Sequence, residues 1–286
     1  GVHLLRDDAK LIDRRRPLPP FARKHLKSRL KKRTCPTLAS RPSRGKVVLF
    51  NDTYSNTMEP HLGVAAFDLL EGCGYEVVLA DAGCCQRPRL SKGMVREAKS
   101  RGAKTLQNLD QFAQQGLPIL CLEPSCASAL RDDLPDLIDD AELGRRVAAH
   151  VQMIDTFLAA QGVKLATDPP DILLHGHCHQ KALFGTAAIK RMFENMSDVT
   201  CREVDSGCCG MAGSFGYEHH DLSETIGQDR LFPAVREAVA QNTTVVACGI
   251  SCRHQLHDFL DVEAKHWVEV VKPADDANAV IEDSKP

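Results

Sequence analysis

"DAGCCQRPRL" (81–90) and "DSGCCGMAGSFG" (205–216) each set a Cys-Cys pair just beyond a short strand-like run, 124 residues apart. The runs are "EVVLA" (76–80) and "CREV" (201–204). Working outward, "PILCLE" (118–123) leads into "EPSCASAL" (123–130), and "TTVVA" (243–247) leads into "GISCRHQL" (249–256). Cys126 and Cys252 therefore recur at an offset of 126. A cysteine pair and a single cysteine that recur in the same order at nearly the same spacing point to an internal duplication.

"KVVLF" (46–50) and "DILLH" (171–175) supply the opening strand of each half. Helical spacing separates the strands. Pro60 suits a first helical turn, Leu62, Ala65, Ala66, Leu69 and Leu70 recur on one face, and Gly74 can end that helix. Val95, Ala98, Leu106, Leu109 and Phe112 mark the next helix, and residues from about Ala141 to Gly162 another. Helices around Ala187–Phe193 and Glu224–Ala240 repeat the plan. Such alternation predicts an α/β fold of two tandem Rossmann-like parallel-sheet halves related by duplication. The expected divisions are a basic arm (1–45), a first cysteine-rich repeat (46–140), a connecting helix (141–170), a second repeat (171–272) and a tail (273–286).

The 286-residue chain has ordinary apolar and charged content for a globular protein, with a net charge of −2 that conceals an uneven distribution. Residues 1–45 carry 14 Lys/Arg against 3 Asp/Glu, leaving 22 against 35 for the rest. Without interleaved aromatics after Phe21, the arm reads as a segment lying over an acidic neighbour, not as a nucleic-acid or lipid contact. The chain starts at Gly1 without an initiator Met, which suggests a part of a longer polypeptide. No apolar stretch approaches a membrane span, so the reading is a cytoplasmic protein with no integral membrane segment, with room for peripheral association at the inner membrane face.

Twelve cysteines in a chain of this size, with no secretion signal, point to metal ligation and not to a disulfide framework. In an open parallel sheet, ligands gather outside the carboxyl ends of the strands. The second half brings Cys178, Cys208, Cys209 and Cys252 there, and the first half Cys84, Cys85 and Cys126. Thiolates serve both zinc and iron–sulfur clusters. Two adjacent cysteines fit a multi-iron cluster more readily than one small tetrahedral ion. Gly207 and Gly210 flank the second pair and permit a tight turn that lets backbone amides approach sulfur. His175, His177 and His179 alternate along what reads as an extended segment, and His177 and His179 share a face as hydrogen-bond donors or proton carriers. Cys121 and Cys248 read first as small buried residues of apolar strands, with Cys248 an alternative added ligand and Cys121 an alternative fourth for the first half, while Cys73 sits near a helix end and Cys201 begins a strand. Cys35 lies in the arm.

The strings "LFNDTYSNTMEP", "GCCQRPRLSKG", "LEPSCASAL", "HGHCHQKAL", "DSGCCGMAGSFGYE" and "SCRHQL" resemble the duplicated cysteine-rich "CCG" domain. That domain occurs in heterodisulfide reductases and in glycolate oxidase iron–sulfur subunits. The strings are closer still to the carboxyl-terminal region of fused FAD-binding oxidase/iron–sulfur proteins of the D-lactate or D-2-hydroxyglutarate dehydrogenase type. The resemblance covers residues 46–272. It implies an iron–sulfur cluster of the 4Fe–4S type, FAD on a separate domain or partner, a ferredoxin-like neighbour, and electron flow from flavin toward a quinone or other acceptor. Two alternatives stand beside this: a cluster-based thiol or disulfide reductase, and a structural zinc module. Two departures matter: where the pattern has a cysteine after the first strand, this chain has Thr53, which favours the second half as the cluster site, and where the reductase pattern ends each half with CxxC, this chain has Cys121-x4-Cys126 and Cys248-x3-Cys252.

Overall fold

The computed structural model describes residues 12–33 and 43–274; Cys35 and residues 275–286 of the expected tail lie outside the described residues. The strands are β1 (Gly45–Phe50), β2 (Tyr75–Ala80), β3 (Ile119–Cys121), β4 (Val151–Met153), β5 (Leu165–Thr167), β6 (Asp171–His175), β7 (Thr200–Glu203), β8 (Thr244–Ala247) and β9 (Val271–Pro273). One sheet has the order β2-β1-β3-β4 and another the order β7-β6-β8, with every pairing in both parallel. Strands β5 and β9 form a separate antiparallel ribbon. The first three strands of each sheet thus take the same order, with the opening strand in the centre, and helices fill the crossovers as parallel pairing demands.

Period-two alternation decides what each strand faces. Val47 and Leu49 of β1, Leu120 of β3, Ile172 and Leu174 of β6 and Val246 of β8 point into one core shared by both halves. Their neighbours Val48, Phe50, Ile119 and Cys121 face an outer core of the first sheet, and Leu173, Val245 and Ala247 an outer core of the second. The helices Pro60–Gly72, Ile154–Ala160, Ala187–Glu194 and Trp267–Val270 fill the shared layer. Fully buried side chains such as Leu70 and Phe193 contribute about 1.5–3 kcal/mol apiece there. The halves are therefore held together by a common interior.

Two expected helices are interrupted. The segment that reads as one helix from Ala141 to Gly162 is Ala141–His150, then β4, then Ile154–Ala160. Val151 and Met153 pair with Ile119 and Cys121 and are buried, so closing the exposed edge of β3 overrides the helical periodicity. The segment that reads as Glu224–Ala240 starts earlier, at His220, and breaks at Arg230 between His220–Asp229 and Leu231–Ala240. Pro233 lacks the N–H that would bond back to Asp229, which marks the break.

The described part of the basic arm lies across this chain's own surface. Arg16 is buried, donating to Gln255 Oε1 and Met211 Sδ at 3.0 Å and stacking over Phe259 at 4.8 Å. Further along, Lys27 pairs with Asp81, and Arg33 with Asp68 and Glu71. The acidic neighbour expected for the arm is thus partly the molecule itself.

Candidate metal centre

The same local devices build two cysteine sites at the carboxyl ends of the two sheets. After β1, Asp52 caps a short helix by accepting from Tyr54 N and Ser55 N, both at 2.9 Å, and Thr53 is that helix's first residue. After β6, His177 Nδ1 accepts from His179 N at 3.2 Å, and Cys178 opens the helix Cys178–Leu183. Thr53 and Cys178 therefore occupy equivalent places. The segment expected to stay extended through His179 turns helical at Cys178, where the imidazole cap satisfies the otherwise free His179 amide.

Beyond β2 and β7 the pairs are shaped alike. The Gln86 amide donates to Cys84 Sγ at 3.4 Å and the Gly210 amide to Cys208 Sγ at 3.3 Å. Both residues have positive φ, 65° and 99°. A Cβ at Gly210 would lie 2.3 Å from Ser223 O, so glycine is required there on two counts. At Gly207, by contrast, a Cβ would meet nothing within 4 Å. Cys126 and Cys252 each stand third in their helices, Pro124–Ser128 and Ile250–Leu260.

The side chains then form two matched chains of contacts. In the second half Cys178 meets Cys208, Cys208 meets Cys209, and Cys209 meets Cys252. In the first half the Thr53 hydroxyl meets Cys84, Cys84 meets Cys85, and Cys85 Sγ lies 2.9 Å from Cys126 Sγ. Burial follows the same gradient. Thr53 and Cys178 are exposed, Cys84 and Cys208 half-buried, and the remaining four thiols buried.

Their surroundings differ. Cys252 is pulled well below the ordinary thiol range by its bond with Cys209, helped by His175 and His177. His175, which the sequence presents only as one member of an alternating run, ends β6 and hydrogen-bonds Ser206 Oγ at 2.9 Å. Cys126 is also pulled down, by Cys85, but burial and the carboxylates Asp52 and Glu123 outweigh that and leave it at about 12. Burial lifts Asp52 itself to about 6. Crowded thiols of this kind cannot all ionise unaided, so a soft cation is the partner that the donor set fits. Cys178, Cys208, Cys209 and Cys252 are the thiols of the second half that would hold such a metal, with the Gly210 amide aimed at the Cys208 sulfur.

Glu123 has no sequence signal. It is buried, accepts from Ser125 N at 3.2 Å and Ser125 Oγ at 2.7 Å on one oxygen, and from Ile250 N at 3.0 Å on the other. One carboxylate thus caps the helix bearing Cys126 and the helix bearing Cys252. Nearby, Arg253 pairs with Glu59 and donates to Ala247 O and Cys248 O at 2.8 Å. His177 and His179 lie with ring centroids 5.3 Å apart, and His179 is held down to about 4 by burial and Arg87. Cys73 and Cys248 belong to the shared core and Cys121 to the outer core of the first sheet, while Cys201 lies half-buried against the shared core.

No known family model matches the chain. It is 24% identical over 284 residues to a subunit of the anaerobic glycerol-3-phosphate dehydrogenase of Escherichia coli (strain K12), covering 96% of this chain and 69% of that protein. It is 25% identical to D-2-hydroxyglutarate dehydrogenase of Pantoea ananatis over 74% of this chain, which spans only 21% of that protein. Lactate utilization protein A of an Exiguobacterium species is 29% identical over 62% of this chain and 76% of its own length.

Proposed function

We propose that this chain is the iron–sulfur electron-transfer portion of an FAD-linked 2-hydroxyacid dehydrogenase, passing electrons from a flavin on another domain or subunit toward a quinone or other acceptor. That it is an oxidoreductase component accords with the names of its relatives, two of which are a dehydrogenase and a dehydrogenase subunit. The observation that carries the finer reading is the continuous thiol chain from Cys178 through Cys208 and Cys209 to Cys252, at the carboxyl ends of β6, β7 and β8.

When bound, a cluster supplies a one-electron carrier whose potential responds to hydrogen bonds at sulfur. The residues of the chain do the rest. Cys178, Cys208, Cys209 and Cys252 would hold it, and the Gly210 amide donates to the Cys208 sulfur. The bond with Cys209, helped by His175 and His177, lowers the proton affinity of Cys252 and favours its thiolate. Buried Cys209 and Cys252 keep water from one side, while exposed Cys178 marks the edge open to a partner. Among the described residues no helix is long and apolar enough to cross a membrane, so attachment to one would run through a partner.

Anaerobic purification followed by iron and acid-labile sulfide analysis, with optical and EPR spectra, tests the reading. Iron and sulfide in matching amounts, diminished by Cys208→Ser with Cys209→Ser, are expected. Zinc in their place would replace electron transfer by a structural role.

A further inference from the structure

Two fully buried polar side chains sit beneath the second thiol chain without belonging to it. Asp155 is the second residue of the helix Ile154–Ala160, and Gln180 the third of the helix Cys178–Leu183. The Gln180 amide donates to Asp155 Oδ2 at 2.8 Å. Asp155 Oδ1 and Gln180 Oε1 are both buried and have no hydrogen-bond partner among the described residues. Two buried acceptors without a donor are costly. One proton on Asp155 supplies the missing donor, because a carboxylic acid facing a primary amide can donate as well as accept.

We propose that Asp155 and Gln180 form a proton-binding site that takes up a proton when the second cysteine site takes up an electron. This deepens the function proposed above and rests on it. Gln180 stands two residues after Cys178, on the buried side of the helix whose exposed first residue starts the thiol chain. Buried Cys248, just beyond β8, feels the charges of Asp155 and Cys252 alike, so carboxyl and thiols share one poorly screened interior. Other ionisable groups on the surrounding elements are engaged elsewhere. Lys181 donates to Ser206 O at 2.7 Å, His177 faces Cys252, His179 lies near Arg87, and Lys190 pairs with Glu203. Arg191 and Glu194 are exposed, Cys121 of β3 belongs to the outer core of the first sheet, and Tyr75 packs on Phe157. Burial, only partly offset by nearby amides, lifts Asp155 to about 6, so proton exchange falls near neutral pH. The step balances as one electron from the reduced flavin of the partner and one proton from solvent. Asp155 passes from carboxylate to carboxylic acid, and no bond of the chain breaks. By linkage, each uptake favours the other equally.

The test uses the full chain, reconstituted anaerobically with iron and sulfide and titrated with dithionite under EPR detection from about pH 5 to about pH 8. In the wild type the midpoint potential should fall as pH rises, approaching about 59 mV per tenfold change in proton concentration. Reduced-minus-oxidised infrared spectra should show a protonated carboxyl appearing on reduction. Asp155→Asn supplies permanently the donor that the acid supplies only when protonated, so it should fold, keep its iron, and lose both the slope and the carboxyl band. Gln180→Glu, with two carboxyls sharing a proton, should move the sloping range to higher pH. A pH-independent potential in iron-bearing wild type overturns this inference alone, as does a slope or band retained in folded Asp155→Asn. Should Asp155→Asn misfold, an unmoved range in Gln180→Glu overturns it equally. Absence of iron and sulfide from the wild type overturns the proposed function, and this inference with it.

Discussion

The first half surrounds its cysteine chain with carboxylates, Asp52 and Glu123, while the second surrounds its own with imidazoles, His175 and His177. Both use the same scaffold: a capped helix after the central strand, a positive-φ residue after the cysteine pair, and a cysteine in a later first helical turn. Asp52 and His177 are caps at the same structural place, so a single exchange changes the charge near the sulfurs without altering the backbone. The comparison teaches that the two halves share the geometry of sulfur placement and differ in the electrostatics around it. In the second half the imidazoles add to the bond from Cys209 in favouring the Cys252 thiolate; in the first, burial and negative charge oppose ionisation of Cys126.

Breaking the second site should give the largest effect. Cys209→Ser removes a central, buried link of four thiols and should remove most of the iron and sulfide bound by the chain. Iron retained in full would move the site to the cysteines of the first half. Next comes Glu123→Ala, which deprives two helices of their cap and strands the buried Ile250 amide. It should cost about 2–4 kcal/mol, seen as a lowered urea midpoint, and should lower the iron bound at the second half. Unchanged iron binding beside a lowered midpoint would deny Glu123 its bridging role.

The Asp52–His177 contrast makes a pH prediction. Burial raises the Asp52 pKa from 3.8 to about 6, so the folded state holds its proton more tightly than the unfolded state does. Its contribution is fully present below pH about 4 and is lost as pH rises through about 6. Asp155, also near 6 through burial, behaves in the same direction. Asp52→Asn keeps an effective cap and should flatten the decline in stability over that window by about 2–3 kcal/mol, measured by denaturation at several pH values. An unchanged slope would show that Asp52 is ionised in the fold.

Smaller effects separate the two turns. Gly210→Ala forces a Cβ to within 2.3 Å of Ser223 O at a φ of 99°, and should cost about 1–3 kcal/mol with a shifted EPR spectrum of the second site. At the matching place Gln86 already tolerates φ of 65°, held by its side-chain bond to Cys84 O at 2.7 Å. Gln86→Gly should therefore change thermal stability by less than about 1 kcal/mol, because relief of backbone strain offsets the lost bond. A larger loss would make the Gln86 side chain a principal support of the first turn.

What was legible in the chain follows from local periodicity. Apolar runs such as "KVVLF" and "DILLH", and cysteines at fixed distances behind them, identify parallel strands and the loops at their ends, since a strand's hydrophobic run and a duplicated motif are properties of contiguous residues. Thr53, too, stands out as the missing cysteine. Tertiary structure alone decided the rest. Val151 and Met153 became a strand because β3 had an edge to pair, a fact stated nowhere near residue 150. Glu123 became a joint cap because residue 250 lies beside it, 127 positions along the chain. The shared core formed because alternate residues of β1 and β6 face the same layer of helices. Contacts between distant segments depend on how sheets stack and edges close, and no local pattern encodes which buried carboxylate will meet which amide.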